Sequence, residues 1–484
     1  MVTPDKDLKA IIEKADSSRK KLASSLQEQM SASAFAAAEE LSAMSITREK
    51  EVVTWDSRLD SILSSRILAF PIMILILSLV FWLTIEGANI PSEFLSGLLL
   101  EKGGLKVCFG KYFSWKTVPW FFSMSLYEVL HKAFEFFSAP EWLSGFFVDG
   151  VYLAVAWVVS VMLPPMAIFF PLFTFLEDLG YLPRVAFNLD RIFRAVGAHG
   201  KQSLTMAMGF GCNAAGVIAC RIIESPRERL IAILTNNFVP CNGRWPTLIL
   251  AAVLVSTTFS VAGNSFLPVF ALTCVTLLGI IVTFLVSWLL SKTLLAGEPS
   301  GFVLEMPPFR LPKIGWIIYK SIIDRTLFVL TRAIVCAAPA GGLIWILGAV
   351  KVGDSSLFHF LAAHLHPLGK SLGLDGVILL AFIFAFPANE IVVPTIIMGY
   401  MNLSKMTGLE NPTVLFIQNG WTWLTAVCLM LFSLLHYPCS TVTWTIWAET
   451  KSLKWTVLAN VIPLSVALLI CFIVAQSTYF MGWV

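Results

Sequence analysis

The apolar runs of this chain are broken in their middles. Gly209-Phe210-Gly211-Cys212-Asn213 sits inside one such run, with Pro240-Cys241 downstream; Pro387-Ala388-Asn389-Glu390 sits inside another, with Pro438-Cys439 downstream. In hydrocarbon each of these residues either frees backbone groups or carries a polar group that is expensive to bury. Two clusters in the same order predict one broken-helix site built from two halves.

Composition sets the solvent. Hydrophobic residues make up 57% of the 484, charged residues 13%, and the mean hydropathy is +0.78, which marks an integral membrane protein. A net charge of +3, scattered over loops, excludes a nucleic-acid partner. The nine cysteines form no C-x-x-C pair and lie mostly in apolar segments, so buried thiols are expected, not a disulfide framework.

The hydropathy pattern predicts an all-α, polytopic helical protein with broken or re-entrant helices in each half. Residues 1–55 read as a cytoplasmic helical or partly disordered arm, without a secretory leader, offering a docking surface for another subunit. The first membrane half occupies 56–300, a linker 301–326 and the second half 327–484. Within the first half, a span is expected from Ile67 to Ile85, an interfacial helix within Pro119 to Phe137, and a second span from Val151 to Leu176. Pro164-Pro165 should kink or interrupt that second span. The basic stretch Arg184, Arg191, Arg194 and Lys201 places its far end in the cytoplasm.

Ser203 to Cys220 is too short to cross and reads as a re-entrant half-helix. A second half-helix, Leu230 to Phe238, runs into Pro240, which cannot donate to the carbonyl of Asn236. Full spans follow at Thr247 to Val261 and Leu267 to Leu290. In the second half a span at Leu327 to Val350 leads to a loop with His359, His364 and His366, then to a broken helix over Val377 to Tyr400. Trp421 to Leu435, the Pro438-Cys439 break, a return through Glu449 and a last span at Trp455 to Phe480 complete the chain.

The candidate ligands are the polar groups at the breaks: Cys212, Asn213, Cys241, Asn389, Glu390 and Cys439. Glu390 is the sharpest of them, as an ion ligand, a proton carrier or a buried partner for an arginine. Sulfur donors disfavour hard alkali and alkaline-earth ions and favour Fe(II), Zn(II) or Cu(I). His436, two places before Pro438, is a weaker candidate, and the loop histidines read as interfacial. The chain has no H-E-x-x-H, G-x-S-x-G or Rossmann glycine pattern. Gly200-Lys201-Gln202 fails as a phosphate loop because Ala195 and Gln202 stand where glycine and Ser or Thr are required.

From Asp56 onward the chain resembles the membrane domain of the ferrous iron transporter B (FeoB) family. The likeness is carried by Glu177-Asp178, Gly180-Tyr181, Arg184 and Asp190-Arg191, then by Gly209 to Asn213, and by Leu234-Thr235-Asn236 with Cys241 and Arg244. It continues through Glu305, Pro307-Pro308 and Arg310, then Phe386 to Val392, Tyr437-Pro438-Cys439 and Glu449-Thr450. The resemblance implies paired Gate regions and Fe(II) uptake across a bacterial inner membrane, with Cys212, Cys241 and Cys439 along the pathway. Two departures qualify it. The N-terminal GTP-binding domain usual in the family is absent, so no GTP site is expected and GTP hydrolysis is not encoded. Ala214-Ala215 also replaces the usual Val-Pro or similar pair. A naturally split protein whose GTPase is a separate cytoplasmic polypeptide is therefore expected, with small Feo accessory proteins, membrane lipids and a homo-oligomer as further partners. Zinc or another divalent cargo is the alternative, as is a non-transporting regulatory subunit.

Overall fold

The computed structural model describes residues 60–63, 65, 68–100, 124–258, 266–297, 309, 312–353, 355–409 and 412–482, with scattered positions between 33 and 44. The chain divides into two units, Met1–Ile62 with Ser300–Glu305, and Leu63–Pro299 with Met306–Val484. The described positions of the first unit are helical. Most of the expected 1–55 arm, and Glu305, Pro307, Pro308 and Arg310, lie outside the described residues. All that follows concerns the second unit.

Among the described residues seven helical runs are long and apolar enough to cross a membrane, or eight if a bent pair counts as one. The chain is thus an all-α, multi-pass membrane protein. Helix α1, Ala69–Leu99, extends well past the expected end at Ile85. Glu86 and Asn89 hold each other across one turn at 3.5 Å, and Gly87 lets Ile168 approach, so packing carries the helix through its polar stretch. Helix α2, Leu126–Phe136, falls within the expected interfacial segment. It starts at a capping box in which Ser125 and Glu128 each accept the other's backbone N–H.

A single turn at Glu141–Ser144 and a π-helical stretch at Gly145–Tyr152 lead into α3, Leu153–Asp178. Pro164, Pro165 and Pro171 all lie within this one helix, which corrects the expected interruption. Packing against α1 on one side and the second half on the other holds it together, the condition under which membrane helices tolerate proline. The contact with the second half is backbone-close: a Cβ on Gly341 would stand 2.4 Å from the carbonyl oxygen of Gly150. Gly180, at φ 85°, turns the chain into α4, Tyr181–Ala195.

Next come the broken elements. Ser203 to Cys220 is not one half-helix but two short ones, α5 (Gln202–Gly211) and α6 (Asn213–Ala219), split at the extended residue Cys212. Helix α7, Pro226–Thr235, tightens into a 3-10 turn at Asn236–Phe238, breaks at Pro240-Cys241, and resumes as α8, Trp245–Thr258. The expected full span at Thr247 to Val261 is therefore the second arm of a broken span running from Pro226 to Thr257. The last residues of the expected span, 259–261, lie outside the described residues. Helix α9, Phe266–Lys292, crosses without a break.

In the second half α10 (Ile314–Lys320) and a π-helical stretch at Ser321–Leu327 run into α11 (Phe328–Ala349), so the span begins inside the expected linker. A two-strand hairpin, β1 (Lys351–Val352) with β2 (Ser355–Ser356), precedes α12, Leu357–Ser371. His359, His364 and His366 lie on α12, not in a loop, because Ser356 caps the helix start and accepts from the His359 backbone N–H at 3.3 Å. Helix α12 turns by 109° into α13, Gly376–Phe384. A break at Ala385–Ala388 then gives a 3-10 turn at Asn389–Ile391 and α14, Val392–Tyr400, as the sequence predicts. After α15 (Pro412–Gln418) come α16 (Trp423–Leu435), the Pro438-Cys439 break, α17 (Ser440–Thr450) and α18 (Leu453–Phe480).

The two halves repeat an order: helix, extended residue, helix; helix, Pro-Cys, helix; final span. The repeat reaches the dihedral level. Cys212 stands at φ −154°, ψ 124° and Ala388 at φ −154°, ψ 122°. Burial sorts the spans by position. Only 19% of the most apolar window of α1 and 22% of those of α9 and α18 is buried, whereas the window across α16 and α17 is 72% buried. The broken helices thus pack in the centre together with α3, whose run is 56% buried, and α1, α9 and α18 lie outermost.

Candidate metal-transit site

A broken membrane helix must satisfy the backbone groups that the break frees. Pro438 has no N–H to offer the carbonyl of Leu434, four residues back. That carbonyl accepts instead from Arg244 Nη1 at 2.8 Å, and the same nitrogen donates to the Asn237 carbonyl at 2.6 Å. Arg244 Nη2 reaches the Asn237 side-chain oxygen at 3.1 Å and the carbonyls of His436 and Tyr437 at 3.1 and 3.4 Å. One guanidinium, 1% exposed, therefore stitches the Pro-Cys break of the first half to that of the second. Asn237 adds a bond from Nδ2 to the His436 carbonyl at 2.7 Å.

The break at Cys212 has its own brace. Asn236 Nδ2 donates to the Asn213 carbonyl at 3.1 Å. The Asn213 amide is best satisfied with its nitrogen toward the carbonyls of Gly209 at 3.1 Å and Asn236 at 3.3 Å. The Asn236 carbonyl, which Pro240 leaves without its helical donor, also accepts from the Val239 N–H at 3.4 Å. In the second half Ser440 closes the loop, its N–H donating to Phe386 O at 2.7 Å and its hydroxyl to Pro387 O at 3.2 Å.

Between these braces lies a cavity of about 30 Å³, room for an ion or a water. Its lining includes Cys212, Asn213, Cys241, Asn389, Glu390 and Cys439. Every residue singled out at the breaks thus meets in one place, drawn from α6, the Pro240 break, the 3-10 turn before α14, and the start of α17. Asn389 Nδ2 stands 4.0 Å from the Cys241 sulfur, a contact between the two halves inside the cavity. Among the described residues no lysine or arginine forms an ion pair with Glu390. Nor do three or more His, Cys, Asp or Glu groups among the described residues gather closely enough to form a closed metal shell.

His436 does not line the cavity. Its Nδ1 donates toward the carbonyls of Phe432 and Ser433 at 3.0 and 2.9 Å, and its ring stacks on Phe432. Sequence reasoning missed Met162 and Met166, one turn apart on α3, which present their side chains to the same cavity, and Thr441 on α17. It also missed the role of Arg244; the available signal was an arginine directly after Pro240-Cys241-Asn242-Gly243 in apolar surroundings.

Comparison with known proteins supplies the lineage. The Gate family, described as nucleoside recognition, matches residues 159–257 and 330–453, and the family described as ferrous iron transport protein B C terminus matches 272–324. A Staphylococcus aureus (strain MSSA476) protein named Fe(2+) transporter FeoB is 31% identical over 433 residues, covering 87% of this chain and 59% of its own. The Synechocystis protein of that name is 31% identical over 351 residues, covering 71% of this chain and 54% of its own. One from Campylobacter jejuni is 25% identical over 451 residues, covering 90% and 67%. The chain spans 54% to 67% of the length of these three relatives. No solved structure matches. With both Gate regions, the segment between them and the paired breaks in place, the chain belongs to the FeoB family, of which it carries the membrane part.

Proposed function

We propose that the cavity is the transit site of a carrier that brings Fe(II) across the bacterial cytoplasmic membrane. The observation that carries this reading is the convergence of the break residues of both halves, Cys212 and Cys241 from one, Asn389, Glu390 and Cys439 from the other, on a single ion-sized space. Thiols, a carboxylate and amide oxygens form a mixed donor set suited to a borderline-soft divalent ion. Neutral thiols are weak ligands and thiolates tight ones, and a carrier that must release its cargo uses the weaker mode. The relatives are named Fe(2+) transporters, which favours iron among the ions these donors accept.

A GTPase outside these 484 residues couples hydrolysis to the movement. The residues here then supply the carrier part. Zinc is the second reading, because the same donors serve both metals. Reconstituted vesicles loaded with a metal-sensing dye, with Fe(II), Zn(II) and Mn(II) outside and with and without the candidate GTPase, test all of this. Preferential Fe(II) influx on addition of GTPase and GTP supports the proposal. Preferential Zn(II) influx moves the cargo, and metal that binds without crossing makes the protein a regulatory subunit.

A further inference from the structure

A polar ladder leads out of the cavity along α17. Thr441, in its first turn, lines the cavity and is 2% exposed, and its Oγ has no hydrogen-bond partner among the described residues. A buried hydroxyl left unpaired is unfavourable, so one kept beside a cation site points to a partner that comes and goes. One turn on, Thr445 Oγ accepts from Arg332 Nη1 at 2.9 Å and donates to the Thr441 carbonyl at 2.8 Å. Another turn on, Glu449 takes Arg221 Nε and Nη2 at 2.8 and 2.7 Å, a two-pronged pair between the first Gate region and the end of the second.

Positions 441, 445 and 449 are spaced by four and share one helix face. The carbonyl end of α17 adds partial negative charge beside Glu449, which favours a cation there. Arg221 lies in the 3-10 turn Cys220–Ile222 that follows α6, and three residues on Glu224 pairs with Lys201 at 3.3 Å, in the basic region that the positive-inside rule assigns to the cytoplasm. The ladder thus runs from the cavity to the cytoplasmic face.

We propose that the Thr441–Thr445–Glu449 face of α17 is the exit track for the cation, and that Arg221 closes it by occupying Glu449. This rests on the cavity being the transit site. Arg221 side-chain exposure is 67% and that of Glu449 13%, so the arginine is the part free to swing away. While it stays, its positive charge and that of Arg332 oppose a leaving cation; when it leaves, Glu449 becomes the receiving ligand. Removing the arginine and removing the carboxylate then have opposite effects on flux. A pair that merely pins the two regions together would make both losses act alike.

The test uses the full chain in membrane vesicles with two readouts: Fe(II) flux, and labelling of Thr445→Cys from the cytoplasmic face by a membrane-impermeant cationic thiol reagent, against the same chain without that substitution. Arg221→Ala should speed labelling by about two- to five-fold, the scale of an exposed ion pair, and raise basal Fe(II) flux. Glu449→Gln should lower flux, and the swap Arg221→Glu with Glu449→Arg should not restore it. Labelling indifferent to Arg221→Ala, or flux lowered alike by both single variants and restored by the swap, overturns the track. Unchanged flux in Cys212→Ser and Glu390→Gln, beside labelling that does respond, overturns the transit reading instead.

Discussion

Gly243 lies directly against the Glu390 carboxylate: a Cβ on Gly243 would stand 2.5 Å from Oε1 and 2.6 Å from Cδ. Glycine after Cys241-Asn242 is thus what lets the first half's Pro-Cys break close onto the second half's carboxylate. No positive φ is involved, so the requirement is one of space alone.

Gly243→Ala should therefore leave the fold intact and push the carboxylate out of its place. Because the end of a flexible side chain gives way, the stability loss should stay near 1 kcal/mol, the usual size of a single-residue effect. Fe(II) flux should fall by about tenfold, the equivalent of ~1.4 kcal/mol in the interaction that Glu390 makes. Thermal melting and flux, measured on the same preparation, separate the two effects; a large melting loss with proportionate flux loss would show a packing role only.

Arg244 is the structural keystone between the breaks. Arg244→Leu removes donors from the carbonyls of Asn237 and Leu434, and each orphaned buried acceptor costs about 1–3 kcal/mol. The protein should become too unstable to purify in mild detergent. Arg244→Lys should be intermediate, because one ammonium cannot reproduce a planar fork that serves both halves. Yield and melting temperature across the three proteins check the order; a leucine variant as stable as the parent would refute it.

His199, between α4 and α5 on the basic side, is 6% exposed, and burial lowers its pKa from 6.5 against the pull of the Glu228 and Asp190 carboxylates. The folded state thus favours neutral imidazole, while the unfolded chain takes up a proton near the ordinary value. Unfolding then binds protons between the two values, so stability is full above about pH 6.5 and declines as pH falls through that window. His199→Gln should flatten the slope of melting temperature between about pH 7 and pH 5. An unchanged slope would place the acid sensitivity elsewhere.

The breaks were legible in the sequence for a definite reason. Proline, glycine, amide and carboxylate in the middle of an apolar run contradict an ordinary span, so Cys212, Pro240, Glu390 and Pro438 announce themselves. What faces the breaks did not announce itself. Met162 and Met166 sit on a segment apolar all round, and Thr441 on one whose Ser and Thr residues are spread round the helix, so periodicity gives no inner face to read. Prolines 164 and 165 carried the same local signal as Pro240 yet break nothing, because α3 is held on both sides. The role of Arg244 is set by the Leu434 carbonyl, 190 residues on, which takes its nitrogen, a partner that no local pattern reveals.

The most direct test of the transit site is Fe(II) influx into sealed vesicles containing the parent chain, Cys212→Ser or Glu390→Gln, each with the candidate GTPase and GTP and each checked for folded protein. A transit site built from both halves predicts that each single change lowers influx by about tenfold or more, on the scale of one lost ligand, while the amount of folded protein stays constant. Influx equal to the parent in both variants would contradict it.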